Sequence, residues 1–421
     1  MTTDIPIDIA IIGGGCAGLM SGCVAAAESQ GKLNIVIFEK NNKTGRKLLA
    51  TGNGRCNLSN TAVSFKQYNK SCQKQLKKIG ELLSFEFTQK LFNEMGLLIK
   101  TDNSGRAYPK SGNASSVLDV LRNSLTQSCV EEHSGERIKS IIKAADKNFI
   151  ITGTHGEYKA KNIILACGGC ASPVFGSDGE GFALAKAFSH NIITPFPSLA
   201  PVPVKEKIRE LKGVRAECRI TLTNNGEVMA EESGELQINE DNVSGICVFN
   251  LSEIVNRAFI NRLKPPEILI DFLPDISIKD LQTFIIRNAF ALPEISVENA
   301  LSGIINKKLA AYIIKKSLNI SPSLFCKKIT KKELCIICES LKCFKLTPKK
   351  MSDFKKAQIS SGGVCTDEVD FTTMSSMIVE GLYFAGEIMD VNAPCGGFNL
   401  QWAWTSAAIA AKSAVRRCEN D

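Results

Sequence analysis

Residues 7–18 read IDIAIIGGGCAG, and this stretch decides the fold. The run Ile7–Ile12 is short, apolar and rich in β-branched side chains, which predicts a strand buried on both faces. The glycines that follow match G-x-G-x-x-G. The first allows a tight turn, the second lets a pyrophosphate approach the backbone, and the third lets a helix pack closely. Small residues then predict that this helix runs to about Glu28.

A second strand is predicted over Asn34–Phe38, and Glu39 follows it, 21 residues after Gly18. A carboxylate at this distance accepts hydrogen bonds from both ribose hydroxyls of an adenosine and repels a 2′-phosphate. The free N–H groups at the helix N-terminus suit the pyrophosphate. Strand, glycine turn, helix and acid together favour a dinucleotide site over a glycine-rich turn in an unrelated α/β protein.

The next segment, 40–60, reads KNNKTGRKLLATGNGRCNLSN and is first cationic, then rich in Gly and Asn. Such a loop suits a planar or polyanionic ligand, and its first cations can neutralise phosphate. A solvated basic loop is the alternative interpretation of this segment alone. The candidate cofactor contacts here are Lys40, Arg46, Lys47, Gly52, Asn53, Gly54, Arg55, Cys56 and Asn57.

Strand-to-glycine units recur near both ends of the chain. Lys161–Ala166 predicts a buried strand that runs into Gly168, and Gly381–Ala385 predicts another, followed by a helix from Trp404 to about Val415. Four prolines between 195 and 203 mark a domain entry. The sequence thus predicts an α/β fold in which a Rossmann-like domain, 1–194 and 356–421, is interrupted by residues 195–355. This insertion is β-rich over about 200–275 and helical over about 276–350.

Composition excludes several classes of protein. Lys and Arg outnumber Asp and Glu by 51 to 43, a mild excess that we interpret as a solvated surface, so neither a nucleic acid nor a membrane is an expected partner. The three histidines, at 133, 155 and 190, are far apart, so no metal site is expected, and His190 is predicted to be a surface or capping residue. The 16 cysteines form no disulfide framework and follow no secretory signal, which indicates a reducing cytoplasm. The oligomeric state stays open.

Seven motifs carry a family resemblance. They are GGGCAGL, FEK…GRKLLATGNGRCNLSN, RAYPKSGNASSVLDVL, LACGG, GSDGEGFALA, SSGGV and GLYFAGEIMDVNAPCGGFNLQWAWTSA. In this order they resemble the bacterial NAD(P)/FAD-dependent oxidoreductase family that includes 3-dehydro-bile acid Δ4,6-reductase and an aminoacetone oxidase. The motifs cover nearly all of residues 5–190 and 355–415. The resemblance implies noncovalent FAD on a fold of the glutathione-reductase type, with the β-rich and helical insertion over the flavin.

The resemblance also implies roles for individual residues. The pyrophosphate is expected to bind at Gly13, Gly15, Cys16, Ala17 and Gly18, and the ribose is expected to bind at Glu39. A backbone contact to adenine comes from Val130 or Ile138, and the sequence does not decide between them. Gly386 and Glu387 stand where related flavoproteins carry Gly-Asp for the ribityl chain, and Asp390 is a second candidate. Gly397, Phe398 and Asn399 border the isoalloxazine, where a helix N-terminus stabilises the anionic edge of a reduced flavin.

The leading prediction for the reaction is reduction of a C=C bond conjugated to a ketone, in a substrate like a 3-oxo-Δ4,6 bile acid or steroid. Tyr108 is the candidate proton donor, and Arg106 the candidate site for a carboxylate or oxyanion. No second G-x-G-x-x-G is present for a nicotinamide domain, so the electron donor is expected to be NAD(P)H bound transiently at the flavin, and another donor is the alternative. The alternatives are an oxidase of small amines that uses O2, an RNA-modifying flavoprotein, and a noncatalytic flavin redox sensor.

Overall fold

The chain divides into two compact units, and each is described by itself. The first comprises Met1–Phe196 and Gln358–Asp421, and the second comprises Pro197–Ala357. The computed structural model describes residues 6–128 and 130–420. The predicted boundaries, after residues 194 and 355, each lie two residues before these divisions.

The first part of the chain holds ten strands and six helices among its described residues. The strands are β1 (Ile7–Ile12), β2 (Ile35–Glu39), β3 (Ser59–Asn60), β4 (Ile99–Thr101), β5 (Arg106–Pro109), β6 (Glu131–Ser134), β7 (Ser140–Lys143), β8 (Phe149–Thr152), β9 (Glu157–Leu165) and β10 (Ile192–Ser198). The helices are α1 (Cys16–Glu28), α2 (Arg46–Ala50), α3 (Gln73–Lys78), α4 (Phe85–Glu94), α5 (Ala114–Gln127) and α6 (Glu180–Ala187).

The order of elements in the inserted unit is different: most of its strands come first and most of its helices come later. Its strands are β11 (Val202–Pro203), β12 (Arg215–Asn224), β13 (Glu227–Ile238), β14 (Asn242–Ser244), β15 (Glu267–Asp271) and β16 (Phe344–Leu346). Its helices are α7 (Ile246–Ile260), α8 (Ile278–Ala291), α9 (Val297–Leu301), α10 (Lys307–Leu318) and α11 (Lys331–Lys342). The six strands form one antiparallel sheet in the order β11-β14-β13-β12-β15-β16.

The last part of the chain returns to the first unit. It adds β17 (Ile359–Val364), β18 (Val369–Asp370), β19 (Ser375–Ser376), β20 (Leu382–Phe384) and α12 (Phe398–Asn420). Strand β20 pairs in parallel with β9, so the C-terminal segment completes the sheet that the N-terminal segment begins. The first unit is therefore discontinuous in sequence and continuous in structure.

The main sheet of the first unit has nine strands, and its path is β18-β19-β20-β9-β1-β2-β6. Strands β20, β9, β1, β2 and β6 are parallel, while β7 and β8 join β9 as an antiparallel meander. Ile9 and Ile11 have no exposed surface, since helices cover both faces of a parallel sheet. The carboxyl ends of these strands share one edge, where ligands of such sheets bind.

The structure confirms the Rossmann-like α/β fold and shows where local prediction was wrong. α12 begins at Phe398 instead of Trp404, and the predicted β-rich segment contains the 15-residue α7. His190 is not a surface or capping residue: it is 2% exposed, and its ring nitrogens lie 3.0 Å from Glu368 Oε2 and 2.8 Å from Ser376 Oγ. Phe384 packs edge-on against that ring, with 4.8 Å between the ring centroids, which helps to bury it.

Candidate functional site

The glycine turn after β1 leaves space for a ligand at one position and none at the others. A Cβ at Gly13 would lie 2.6 Å from the carbonyl oxygen of Ala166, and one at Gly18 would lie 1.8 Å from the carbonyl oxygen of Gly13. A Cβ at Gly15 would meet no protein atom within 4 Å. The protein's own packing therefore demands the first and third glycines. The second opens onto the free N–H groups at the start of α1, as a bound pyrophosphate requires.

Glu39 is fixed beside this turn by hydrogen bonds to both carboxylate oxygens. Oε2 accepts the N–H of Gly14 at 2.9 Å, and Oε1 accepts the N–H and side-chain amide of Asn41 at 2.8 and 2.5 Å. The residue is 9% exposed and stands at the carboxyl end of β2. A fixed anion here suits ribose hydroxyls, which are donors. Sequence reasoning missed Asn41, whose contact with Glu39 has no motif.

A cavity of about 490 Å³ opens next to Glu39 and is lined by Lys40, Asn41, Asn42, Lys43 and Arg46. Lys40 Nζ lies 2.5 Å from Asp178 and 3.1 Å from Glu180, so the loop before α6 neutralises this cation. Arg46 donates to Asn41 Oδ1 at 2.9 Å. Its lining residues are amides and cations, and its volume is large enough for part of a nucleotide.

Lys47 and Glu387 form an ion pair of 2.9 Å that joins the two ends of the chain. The other Glu387 oxygen accepts the N–H of Ser360 at 2.8 Å, and Ser360 Oγ accepts the N–H of Cys170 at 2.7 Å. A Cβ at Gly169 would lie 2.6 Å from that Oγ, so no side chain fits there. Ser360 lies in the SSGGV motif, but its tie to Glu387 is visible only in the structure. Neighbouring Gly168 has a left-handed backbone (φ +73°) and also lies in this turn.

The loop before β3 has an unusual backbone and a buried acceptor without a partner. Gly52, Asn53, Gly54 and Cys56 have φ values of 57°, 55°, 82° and 57°, a left-handed run of the kind that turns N–H groups toward a ligand. Asn57 Oδ1 is buried and has no hydrogen-bond partner in the protein. A buried orphan acceptor is costly unless water or a ligand supplies a donor. The isoalloxazine ring carries such an N–H, so this atom fits a flavin.

The same loop meets the start of α12. A Cβ at Gly397 would lie 2.3 Å from the carbonyl oxygen of Ser59 and 2.8 Å from Asn57 Oδ1. Gly386 is held by Trp402, which donates to its carbonyl oxygen at 3.2 Å, and a Cβ there would lie 2.8 Å from Ala17 Cβ. The predicted pyrophosphate, ribityl and ring segments are therefore neighbours within the first unit. The N-terminus of α12 directs its partial positive charge toward them.

Several predicted contacts have side chains that are already committed to the fold. Asp390 accepts from Ser71 Oγ at 3.2 Å and from the N–H of Gly362 at 3.0 Å. Asn399 closes its own loop through the N–H and carbonyl of Ala393, at 3.0 and 2.8 Å. These hydrogen bonds fix the orientation of both side chains, and their cofactor roles stay predictions.

The two candidates for the adenine contact lie at opposite ends of β6. Val130 precedes this strand, and the register pairs Val36 with Glu131 and Glu39 with Ser134. Val130 therefore stands at the amino edge of the sheet, about four residues or 13 Å from the level of Glu39. Ile138 follows the carboxyl end, where the N–H of Glu136 donates to the carbonyl of Glu39 at 2.9 Å. Ile138 therefore lies nearer the level of Glu39 than Val130 does, which favours Ile138, and the adenine contact itself stays a prediction.

The two candidate catalytic residues lie on β5, next to the cofactor loop. β5 pairs with β3, and Arg106 is opposite Asn60. Arg106 and Tyr108 are two positions apart on one strand and thus share a face. Tyr108 is buried, and the Arg55 guanidinium lies 4.3 Å from the centroid of its ring.

Three thiols of this region, those of Cys16, Cys56 and Cys167, are not activated. Burial raises the pKa of Cys16 to about 12 and that of Cys167 to about 12, and it also raises the pKa of Cys56. Thiols with such pKa values stay protonated near neutral pH, which argues against a nucleophilic cysteine at the flavin. In the part of the chain that the structure describes, no cluster of three or more His, Cys, Asp or Glu can hold a metal ion. Nor is any described helix both long and apolar enough to span a membrane.

Comparisons with known proteins agree with this geometry. The chain is 33% identical over 410 residues to the 3-dehydro-bile acid delta(4,6)-reductase of Clostridium scindens, covering 97% of this chain and 99% of that one. It is 28% identical to the ribosomal RNA dihydrouridine synthase of Escherichia coli, covering 97% and 98%. A 3-ketosteroid delta1-dehydrogenase from Sterolibacterium denitrificans, solved with 1,4-androstadiene-3,17-dione, shares the fold with a TM-score of 0.52 at 12% identity, covering 97% and 99%. Residues 7–413 match the HI0933-like protein Rossmann domain, and the chain therefore belongs to the HI0933-like family, with a Rossmann-type FAD-binding domain as its first unit.

Proposed function

We propose that this FAD-dependent oxidoreductase reduces a C=C bond conjugated to a carbonyl group, in a substrate like a 3-oxo-Δ4,6 bile acid or related steroid. The observation that carries the proposal is the 33% identity to the bile acid reductase over nearly the whole of both chains. The second relative supports the same chemistry, because making dihydrouridine also saturates a C=C bond that adjoins a carbonyl. In both reactions the hydride acceptor is a C=C bond next to a carbonyl, although the rest of the two substrates differs.

The residues present fit FAD. The open space at Gly15 suits the pyrophosphate, Glu39 the ribose, and the orphaned Asn57 acceptor the ring. Once reduced, the bound flavin would supply the hydride. We expect NAD(P)H to be the electron donor.

The protein's own residues would supply a hydrogen-bond donor to the substrate carbonyl and a cation near that carbonyl. We assign the donor role to the Tyr108 hydroxyl, which would hydrogen-bond the carbonyl oxygen and stabilise the enolate as it forms. Arg55 packs on the ring and restricts its orientation. Arg106 shares the face of Tyr108 and would bind a carboxylate or an oxyanion of the substrate. Tyr108 is buried and Arg106 is partly buried, which limits access of water and strengthens these interactions.

A second candidate is reduction of uridine in RNA. Residues 276–357 hold 16 Lys and Arg against six Asp and Glu, a net charge of +10, while residues 197–275 hold nine against 13, a net charge of −4. A polyanionic substrate would explain this asymmetry, and a steroid would not. The relative that makes dihydrouridine matches the chain over this segment too.

An anaerobic experiment separates these functions. The yellow protein is reduced with NADH or NADPH, then mixed in parallel with a 3-oxo-4,6-diene steroid, a simple enone, uridine-containing RNA and a small amine. We expect rapid recovery of the 450 nm absorbance with the steroid, and a product two mass units heavier. Recovery with RNA alone would establish the second candidate. Reduction of the oxidised enzyme by the amine, followed by turnover with O2 alone, would overturn both in favour of an amine oxidase.

A further inference from the structure

The positive charge of the inserted unit is accompanied by exposed aromatic rings on one helix. In α8, Phe284, Arg287 and Phe290 are spaced three residues apart, so they follow one another along a single face. Phe284 is 42% exposed and Phe290 is 60% exposed. The Arg287 guanidinium lies 5.5 Å from the ring centroid of Phe284. This stripe alternates an aromatic ring, a cation and an aromatic ring.

A cluster of lysines lies at the C-terminal end of this stripe. The N–H of Lys327 donates to the carbonyl of Pro293 at 3.0 Å, which fixes the following residues beside the end of α8. Lys328, Lys331 and Lys332 are exposed, and no described carboxylate lies within 4.0 Å of their ammonium groups. Phe325, 45% exposed, adds a third ring here. Exposed cations and aromatic rings are therefore gathered near the C-terminal end of α8.

We propose that this surface binds single-stranded RNA, and we name it the Lys–Phe surface: Phe284, Arg287, Phe290, Phe325, Lys328, and the pair Lys331–Lys332. Single strands bind proteins through cations along the phosphates and aromatic rings on which the bases stack. On α8 the aromatic rings and the cation alternate every three residues. The inference goes beyond the reaction proposed above, because it concerns binding by the inserted unit and holds whichever molecule the flavin site reduces.

The pattern fits a nucleic acid better than a lipid surface. A helix that lies in a membrane interface keeps its cations on one face and a continuous apolar stripe on the other. In α8 the cation Arg287 lies between two phenylalanines on the exposed side of the helix, where it would interrupt lipid insertion. Alternation of ring and cation is instead what a strand of bases and phosphates requires.

Two features make the lysine pair a clean target for mutation. Lys331 and Lys332 occupy the first turn of α11, where their charges face the positive end of the helix dipole. The double variant Lys331→Gln/Lys332→Gln relieves that repulsion and should fold as well as the wild type. The matched control is Lys77→Gln/Lys78→Gln, an adjacent exposed pair in the last turn of α3 with no described ion-pair partner.

The test is fluorescence anisotropy of a labelled 20-nucleotide single-stranded RNA titrated with the full-length FAD-loaded protein, from about 0.05 to 0.3 M salt. We expect wild-type binding to weaken with salt. Each lost phosphate contact should lower affinity about five-fold at 0.1 M salt, so the double variant should lose about 25-fold and its log–log salt slope should fall by about 1.4. Phe290→Ala should weaken binding about five-fold or more with the slope unchanged. The control and Leu98→Ala, an exposed apolar residue of the first unit, should bind like the wild type.

Three results would overturn the proposal: no salt-sensitive binding, an equal loss in the α3 control, or sedimentation with phosphatidylglycerol vesicles in place of RNA binding. The outcome is separable from that of the proposed function. If the protein reduces the steroid but binds no RNA, the reductase assignment stands and the RNA-binding proposal fails. If it binds RNA but does not reduce the steroid, the RNA-binding proposal stands and the steroid reductase assignment fails.

Discussion

Lys47 and Glu387 are 340 residues apart in the sequence, and Nζ of the first lies 2.9 Å from Oε2 of the second. Their side chains are 22% and 23% exposed, so the pair is shielded from water without being fully desolvated. It links the segment after β2 to the turn after β20, at the point where the glycine turns of both segments meet. The pair is therefore one of the contacts that hold the two halves of the cofactor site together.

A double-mutant cycle should detect this link. We expect Lys47→Met and Glu387→Gln to lower the free energy of unfolding non-additively, with a coupling of about 1 kcal/mol measured by denaturant unfolding of the apoprotein. The exposed pair Lys412–Glu28, at 3.8 Å, is the matched control and should give a coupling near zero. Equal couplings in the two cycles would show that the Lys47 pair does not tie the halves together.

The two glycines of the turn should respond differently to a methyl group. Gly18→Ala places Cβ against the backbone of Gly13 and should cost the apoprotein about 3 kcal/mol of unfolding free energy. Gly15→Ala meets no protein atom and should leave the apoprotein melting temperature nearly unchanged, yet weaken FAD binding at least tenfold in a fluorescence titration. If Gly15→Ala bound FAD like the wild type, the pyrophosphate would lie elsewhere.

Substitution of Glu39 tests the ribose site. Glu39→Arg removes the acceptor that meets the N–H of Gly14 and places a cation where ribose hydroxyls need an anion. We expect the purified variant to have a sharply lower ratio of 450 to 280 nm absorbance. Glu157→Arg, at an exposed position of β9, controls for the added charge. Unchanged FAD occupancy in Glu39→Arg would refute the ribose assignment.

Tyr108→Phe separates catalysis from cofactor binding. The change removes only the hydroxyl and keeps the ring under Arg55. We expect FAD occupancy to stay as in the wild type, while reoxidation of the reduced enzyme by the 3-oxo-4,6-diene slows about 10²-fold in an anaerobic single turnover. Tyr158→Phe, whose hydroxyl bonds Glu136 instead, should keep the wild-type rate. A fast Tyr108→Phe enzyme would assign the proton donor to another group.

His190 should make the fold sensitive to acid. Burial lowers the pKa of His190, and the hydrogen bond to Glu368 offsets this only in part. The unfolded chain therefore binds the proton more tightly than the folded one, so the free energy of unfolding falls as pH drops below about 6.5. We expect the melting temperature to decrease from pH 7.5 to 5.5, and His190→Gln to melt lower at pH 7.5 but with a shallower pH dependence. Parallel pH profiles for the two proteins would exclude this histidine as the source.

The first strand and helix were predictable because their signals are local. β1 and α1 have the bounds that the apolar run and the glycine spacing predict. α7 was not predictable, since its β-branched residues favour a strand, and its buried positions Cys247, Val248, Leu251 and Val255 form a helical stripe only against β13. The start of α12 was missed for the same reason, as Trp402 and Gln401 are buried by contacts from distant segments.

The candidate site likewise contains some features that local sequence predicts and others that depend on distant contacts. The glycine turn and Glu39 follow from spacing alone. The contact of Ser360 with Glu387 and the orphaned acceptor of Asn57 depend on which segments of the chain become neighbours. His190 was misread because a helix end is usually solvated, and only the sheet strands from the other part of the chain show that this one is covered.

The interleaved order of the first unit has a consequence for biosynthesis. A ribosome delivers β9 long before β20, its parallel neighbour, and α12 is synthesised after both. Nascent chains thus pass through a long interval with an open sheet edge, while the intervening Pro197–Ala357 unit is already complete. The cofactor site is therefore complete only after β20 and the first turn of α12 have been synthesised, and we expect a chain truncated before them to be colourless.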